Sequence, residues 1–135
     1  MLDYKLTAKN NSLLNTPPVL AIHMCNLVLK DLVEKYANLK EIDEFSCRKS
    51  EMVYAAVGKS RVFYCPVAES FRSRMNAIFK SKTEKGEKQF LEKAEAKGLI
   101  QLKGHRSVGG LRASLYNAVT LENTRILCDL ISEFE

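Results

Sequence analysis

A chain of 135 residues with 46% hydrophobic and 27% charged residues has the composition of a globular protein, which excludes intrinsic disorder and fibrous repeats. It is long enough to bury roughly two thirds of its unfolded surface, so one domain, or one domain and a piece of another, can be built around a real core. Lys and Arg number 21 and Asp and Glu 16, a net charge of +5, yet the lysines alternate with glutamates in KSKTEKGEKQFLEKAEAK. With no Trp, no RNP-type aromatic motif and no finger-like Cys and His spacing, no nucleic-acid partner is expected.

The amino terminus, MLDYKLTAKNN, lacks the apolar stretch of a signal peptide, and residues 1–15 read as an extended lead-in. Thr16 followed by Pro17 and Pro18 predicts a helix start, with Thr16 as cap, and the helix runs to about Tyr36. Its first half is apolar nearly all round and its second half carries Lys30, Asp31, Glu34 and Lys35. The apolar run PPVLAIHMCNLVLK is interrupted by His23 and Asn26 and is too short to span a bilayer, so no membrane contact and a cytoplasmic location are expected.

A second helix is predicted from Leu39 to Val57, closed by Gly58. Arg61 to Cys65 and Ser73 to Phe79 have strand composition with Pro66 between them. Lys80 to Gly86 reads as a loop, Glu87 to Lys97 as a helix ended by Gly98, Leu99 to Leu102 and Leu111 to Tyr116 as strands, and Leu121 to Phe134 as a closing helix. This order predicts an α/β (α+β) domain with an antiparallel or mixed sheet covered by helices. No internal repeat is visible.

Cys25, Cys47, Cys65 and Cys128 are far apart with no CxxC pair, so no metal site is indicated and they read as reduced, mostly buried thiols. VGKS at 57–60 is not a phosphate loop, because that pattern needs glycine where Val53 stands. Nothing places a thiolate beside His23 or His105, and His23, on an apolar helix, reads as packed or hydrogen-bonded. Arg74 and Asn76 share a strand face, where a buried salt bridge or hydrogen bond is the expected role.

The densest chemistry lies in KGHRSVGGLRASLYN, residues 103–117. His105, Arg106 and Arg112 surround a turn in which Gly109 and Gly110 can take positive φ and let the backbone approach a ligand. Arginine grips carboxylate or phosphate in bidentate fashion, so two arginines around one turn suit a doubly anionic ligand. Residue types alone leave a basic surface turn equally open. Likewise Asn15 and Thr16 before a helix could bind phosphate or simply cap.

NTPP at 15–18, CPV at 65–67, SRMN at 73–76 and LKGHRSVGGLRASLYNAV at 102–119 together closely resemble phosphoserine aminotransferase, a pyridoxal-phosphate enzyme family of serine synthesis. The likeness covers essentially the whole chain. It implies the carboxy-terminal small domain of a fold-type I aminotransferase over 37–135, preceded over 1–36 by the end of the large cofactor-binding domain and the connecting helix. By position it implies His105 and Arg106 for the substrate phosphate, Arg112 for the α-carboxylate, and Asn15 and Thr16 for the cofactor phosphate of a neighbouring subunit.

The ligands so implied are phosphoserine, 3-phosphohydroxypyruvate, glutamate and 2-oxoglutarate, and the partner a second copy in a homodimer or a full-length subunit. In the family the Schiff-base lysine lies upstream of the point matching Met1, so no catalytic residue is assigned and the chain alone is expected to be inactive. The competing expectation is a non-catalytic paralogue or regulatory partner that binds phosphorylated amino acids or pairs with a full-length subunit.

Overall fold

The computed structural model of the chain describes residues 3–134. The chain divides into two compact units, one reaching to Glu41 and one beginning at Ile42.

In the first unit, Asp3 caps a short helix α1 (Tyr4–Lys9) by accepting from the Leu6 amide at 3.0 Å. The expected extended lead-in is thus corrected. One turn and a half offers too little apolar periodicity to be read from sequence. Helix α2 (Val19–Lys35) starts three residues after Thr16, its N-cap is Pro18, and no side chain caps it. Each proline pushes its predecessor away from helical angles, so Thr16 and Pro17 lie outside the helix and Thr16 is too far back to cap. No residue of α2 is buried, and Val19, Leu20, Ile22, Met24 and Val28 are all more than half exposed.

Helix α3 (Leu39–Lys59) carries the chain into the second unit. Gly58 lies within its last turn and does not stop it; instead the Ser60 hydroxyl accepts from the Val62 and Phe63 amides, both at 3.1 Å, and turns the chain into strand β1 (Phe63–Tyr64). Strand β2 (Asn76–Ser81) extends into the predicted loop, and Thr83 caps helix α4 (Glu84–Ala96) through the Gly86 amide at 3.1 Å. Gly98, at φ +77°, closes α4.

The expected strand at 99–102 does not form. Gln101 sits at φ +62°, which breaks an extended run, and only Lys103 makes a bridge, to Leu111. Strand β3 (Leu111–Ser114) and helix α5 (Leu121–Glu133), capped by Thr120, complete the unit.

The sheet has the order β1-β2-β3 and is antiparallel throughout, pairing Phe63 with Ser81, Asn76 with Ser114, Ile78 with Arg112 and Phe79 with Leu111. Alternation then sorts its residues. Ala77, Phe79, Leu111 and Ala113 are buried with Val53 and Val57 of α3, Phe90 and Ala94 of α4, and Leu127, Leu130 and Ile131 of α5. Four rings knit this core, with Phe63 4.8 Å from Phe90 and 5.6 Å from Phe79, and Phe134 5.4 Å from Phe90. Asn76, Ile78, Lys80, Arg112 and Ser114, on the alternate face, are half-buried.

Lys49 of α3 is fully buried without a carboxylate. Its ammonium donates to the carbonyls of Leu115, Tyr116 and Val119 at 3.0, 2.8 and 3.0 Å and lies 4.7 Å from the centre of the Phe45 ring. Burial pulls its pKa below the usual lysine value, while three carbonyls oppose that by favouring the ammonium.

All four cysteines are free, Cys25 exposed and the others half-buried, so the expectation of mostly buried thiols is corrected. Cys47 donates to Glu51 at 3.2 Å, and that bond together with burial raises its pKa. Burial pushes Cys128 up to about 11. At pH 8 its thiolate fraction is then roughly a thousandth. Iodoacetamide at that pH should therefore modify Cys25 well before Cys128, and mass mapping in which Cys128 reacts first or equally fast contradicts this.

Candidate anion-binding hairpin

The segment preceding β3 folds back on itself. The Gly104 amide donates to Gly110 O at 2.8 Å, Lys103 bridges Leu111, and the Arg112 amide donates to Leu102 O at 2.8 Å, so residues 105–109 form the tip of a hairpin. Inside the tip, the Val108 and Gly109 amides both donate to His105 O, at 3.0 and 2.8 Å. The geometry requires glycine at two points. A Cβ on Gly104 would lie 2.2 Å from Gly109 O, and Gly110 combines φ +73° with a Cβ position 2.7 Å from Lys80 Cγ.

His105 and Arg106 are exposed at the tip. The Ser107 amide donates to His105 Nδ1 at 3.3 Å, and the Ser107 hydroxyl lies 2.8 Å from the same nitrogen. With Nδ1 engaged as acceptor, the neutral ring carries its proton on Nε2 and presents it as a donor. Arg112 leaves the hairpin on β3 opposite Ile78, half-buried, and its Nε is a buried donor without a hydrogen-bond partner among the described residues. Buried guanidinium N–H groups are costly to leave unpaired. Such a donor suits an incoming carboxylate or phosphate oxygen.

The fold thus places His105, Arg106 and Arg112 on one hairpin and its following strand. Asn15 and Thr16 belong to the first unit, both exposed and, among the described residues, without side-chain hydrogen bonds. His23 is exposed, which corrects the expectation of a packed ring, since α2 buries none of its residues. Arg74 is exposed as well and pairs with Asp43, so the expected buried role is not seen.

Half-buried Asn76 takes the hydrogen-bonding role expected of it, whereas Lys49 went unread in the sequence. Asn76 Oδ1 lies 3.3 Å from the Ser114 hydroxyl and 3.4 Å from the Tyr116 hydroxyl, which ties the open face of β2 to β3 two residues beyond Arg112. Lys49 fixes the turn that follows β3. Its signal was available, because Ser46, Lys49, Ser50 and Val53 mark the buried stripe of α3 at helical spacing.

This antiparallel three-stranded sheet with its helices matches the carboxy-terminal portion of solved fold-type I aminotransferases. The superposable solved structures include phosphoserine aminotransferase from Bacillus circulans subsp. alkalophilus, with TM-score 0.86 and 41% identity over 97% of this chain and 36% of that one. Another is a PLP-bound phosphoserine aminotransferase from Trichomonas vaginalis, with TM-score 0.85 and 34% identity over 97% of this chain and 38% of that one.

Along its full length the chain matches the carboxy-terminal portion of phosphoserine aminotransferases. It is 46% identical over 136 residues to phosphoserine aminotransferase 2, chloroplastic, of Arabidopsis thaliana, covering 100% of this chain and 32% of that protein. Against the phosphoserine aminotransferase of Drosophila melanogaster it is 47% identical over 139 residues, covering 99% of this chain and 38% of the relative. The chain thus spans about a third of the length of the curated relatives it matches. No family model matches it.

Proposed function

We propose that this chain forms the substrate-anion part of a phosphoserine aminotransferase, an enzyme of serine biosynthesis that converts 3-phosphohydroxypyruvate and glutamate to phosphoserine and 2-oxoglutarate. The observation that carries the reading is the buried, unpartnered Arg112 Nε at the root of a glycine-built hairpin bearing His105 and Arg106. Arg112 clamps the α-carboxylate through its planar fork. His105 donates from Nε2 and Arg106 from its guanidinium to the phosphate, and for glutamate the second carboxylate stands where the phosphate would. The hairpin, closed by its own backbone bonds, keeps both donors in place before the ligand arrives.

Asn15 and Thr16 are the residues proposed for the phosphate of pyridoxal phosphate. A neutral amide and a hydroxyl with no competing internal bonds, just ahead of the free amides of α2, fit that dianion chemically. When bound, the cofactor supplies the electron sink for amino-group exchange. The exposed apolar residues of α2 support a further body covering them, a second subunit in a homodimer or a full-length partner, and a cytoplasmic location belongs to the same reading. No helix among the described residues is long and apolar enough to cross a membrane.

Calorimetric titration of the chain with O-phosphoserine should show saturable one-site binding that 3-phosphohydroxypyruvate competes away. Addition of pyridoxal phosphate and glutamate to the chain alone should give no turnover. Absence of phosphoserine binding refutes the anion site, and turnover refutes the assignment of no catalytic residue.

A further inference from the structure

Lys80 has no place in the roles given so far. It stands on the open face of β2, one residue beyond Phe79, the partner of Leu111, and it is half-buried. Its ammonium crosses to the hairpin tip and donates to Val108 O at 2.7 Å. Its stem passes against Gly110, where a Cβ would meet Lys80 Cγ at 2.7 Å and Cε at 3.3 Å. The lysine and the glycine explain each other: a side chain at 110 would displace the stem that brings the ammonium to Val108.

The remaining hydrogen bonds of residues 105–109 are made within the tip itself, so Lys80 supplies the side-chain tie from another element among the described residues. That tie is charge-assisted, and none of the ion pairs among the described residues draws Lys80 away from it. Holding Val108 fixes the turn that opens at His105 and Arg106. The same ammonium adds positive charge at the tip, where an anion would dock.

We propose that Lys80 is a positioning residue that preorganises the hairpin for phosphate, an inference resting on the reading of His105 and Arg106 as the phosphate-binding pair. Lys80 need not touch the ligand. It lowers the ordering that binding would otherwise demand of an exposed loop.

The test compares the full chain with Lys80→Met, which keeps the stem against Gly110 and removes the charge, and Lys80→Arg, which keeps a donor. Tryptic cleavage of the Arg106–Ser107 bond, followed by mass spectrometry, reads order in the tip without any ligand, and O-phosphoserine titration reads affinity. Lys80→Met should be cleaved there about tenfold faster and bind phosphoserine about tenfold more weakly, the loss of one charge-assisted hydrogen bond. Lys80→Arg should restore both. A Lys80→Met chain that is cleaved and binds like the parent overturns the inference, as does a Lys80→Arg chain that fails to restore either. A parent chain that binds no phosphoserine overturns the functional reading instead, and the phosphate role of Lys80 with it.

Discussion

Lys49→Met should lower the stability of the second unit by about 3 kcal/mol, a large share of what a domain of this size has. The side chain is fully buried, and its three protons are matched one to one with three carbonyls of the turn after β3. Only the ammonium form has three donors; a neutral amine serves two. Methionine fills a similar volume and removes the desolvation cost of the charge, which offsets part of the loss. What it cannot do is satisfy Leu115 O, which is buried, or the partly buried carbonyls of Tyr116 and Val119. Truncating one side of a buried polar cluster leaves the other side uncompensated, and that term dominates. Urea unfolding followed by circular dichroism should show a lower midpoint at unchanged slope. Equal or greater stability would mean that the turn carbonyls find water and that Lys49 is dispensable.

Arg112→Ala should weaken O-phosphoserine binding about a hundredfold, roughly 3 kcal/mol, because a bidentate charge-assisted pair is lost from a half-buried position. Arg112→Lys should recover only part of this, since an ammonium offers charge without the fork. In the ligand-free chain the alanine variant should be as stable as the parent or slightly more so. The Arg112 Nε is a buried donor without a partner among the described residues, so deleting it removes a cost. Titration and thermal unfolding of the same samples check both halves. A variant that binds phosphoserine normally places the carboxylate elsewhere, and one that loses stability in proportion to affinity makes Arg112 structural.

The candidate site was legible because it is local. Gly109 and Gly110 take the positive φ that their identity permits, and His105, Arg106 and Arg112 lie within eight consecutive residues of the chain. Helix α5 was legible for a similar reason, its Thr120 cap and amphipathic spacing being adjacent in sequence. What escaped depends on distant partners. Lys49 meets its carbonyls across at least 66 residues and Lys80 meets Val108 across 28, and neither side chain announces its acceptor. The failed strand at 99–102 is a case of composition overridden by backbone: Leu99, Ile100 and Leu102 favour extension, but the left-handed Gln101 interrupts it.

The alternation of β3 has a consequence for how this surface can vary. Leu111 and Ala113 are buried in the core, while Arg112 and Ser114 face the other way, so a strand of four residues serves two unrelated demands in strict turn. Losing or gaining a single residue between Gly104 and Leu111, with the Leu102–Gly104 side of the hairpin held in place, would slip β3 by one residue against β2 and turn Arg112 toward the core and Leu111 toward the open face. The length of the hairpin is therefore as constrained as its lettering. Substitutions at the tip leave that frame alone, but insertions and deletions there act on the whole domain at once.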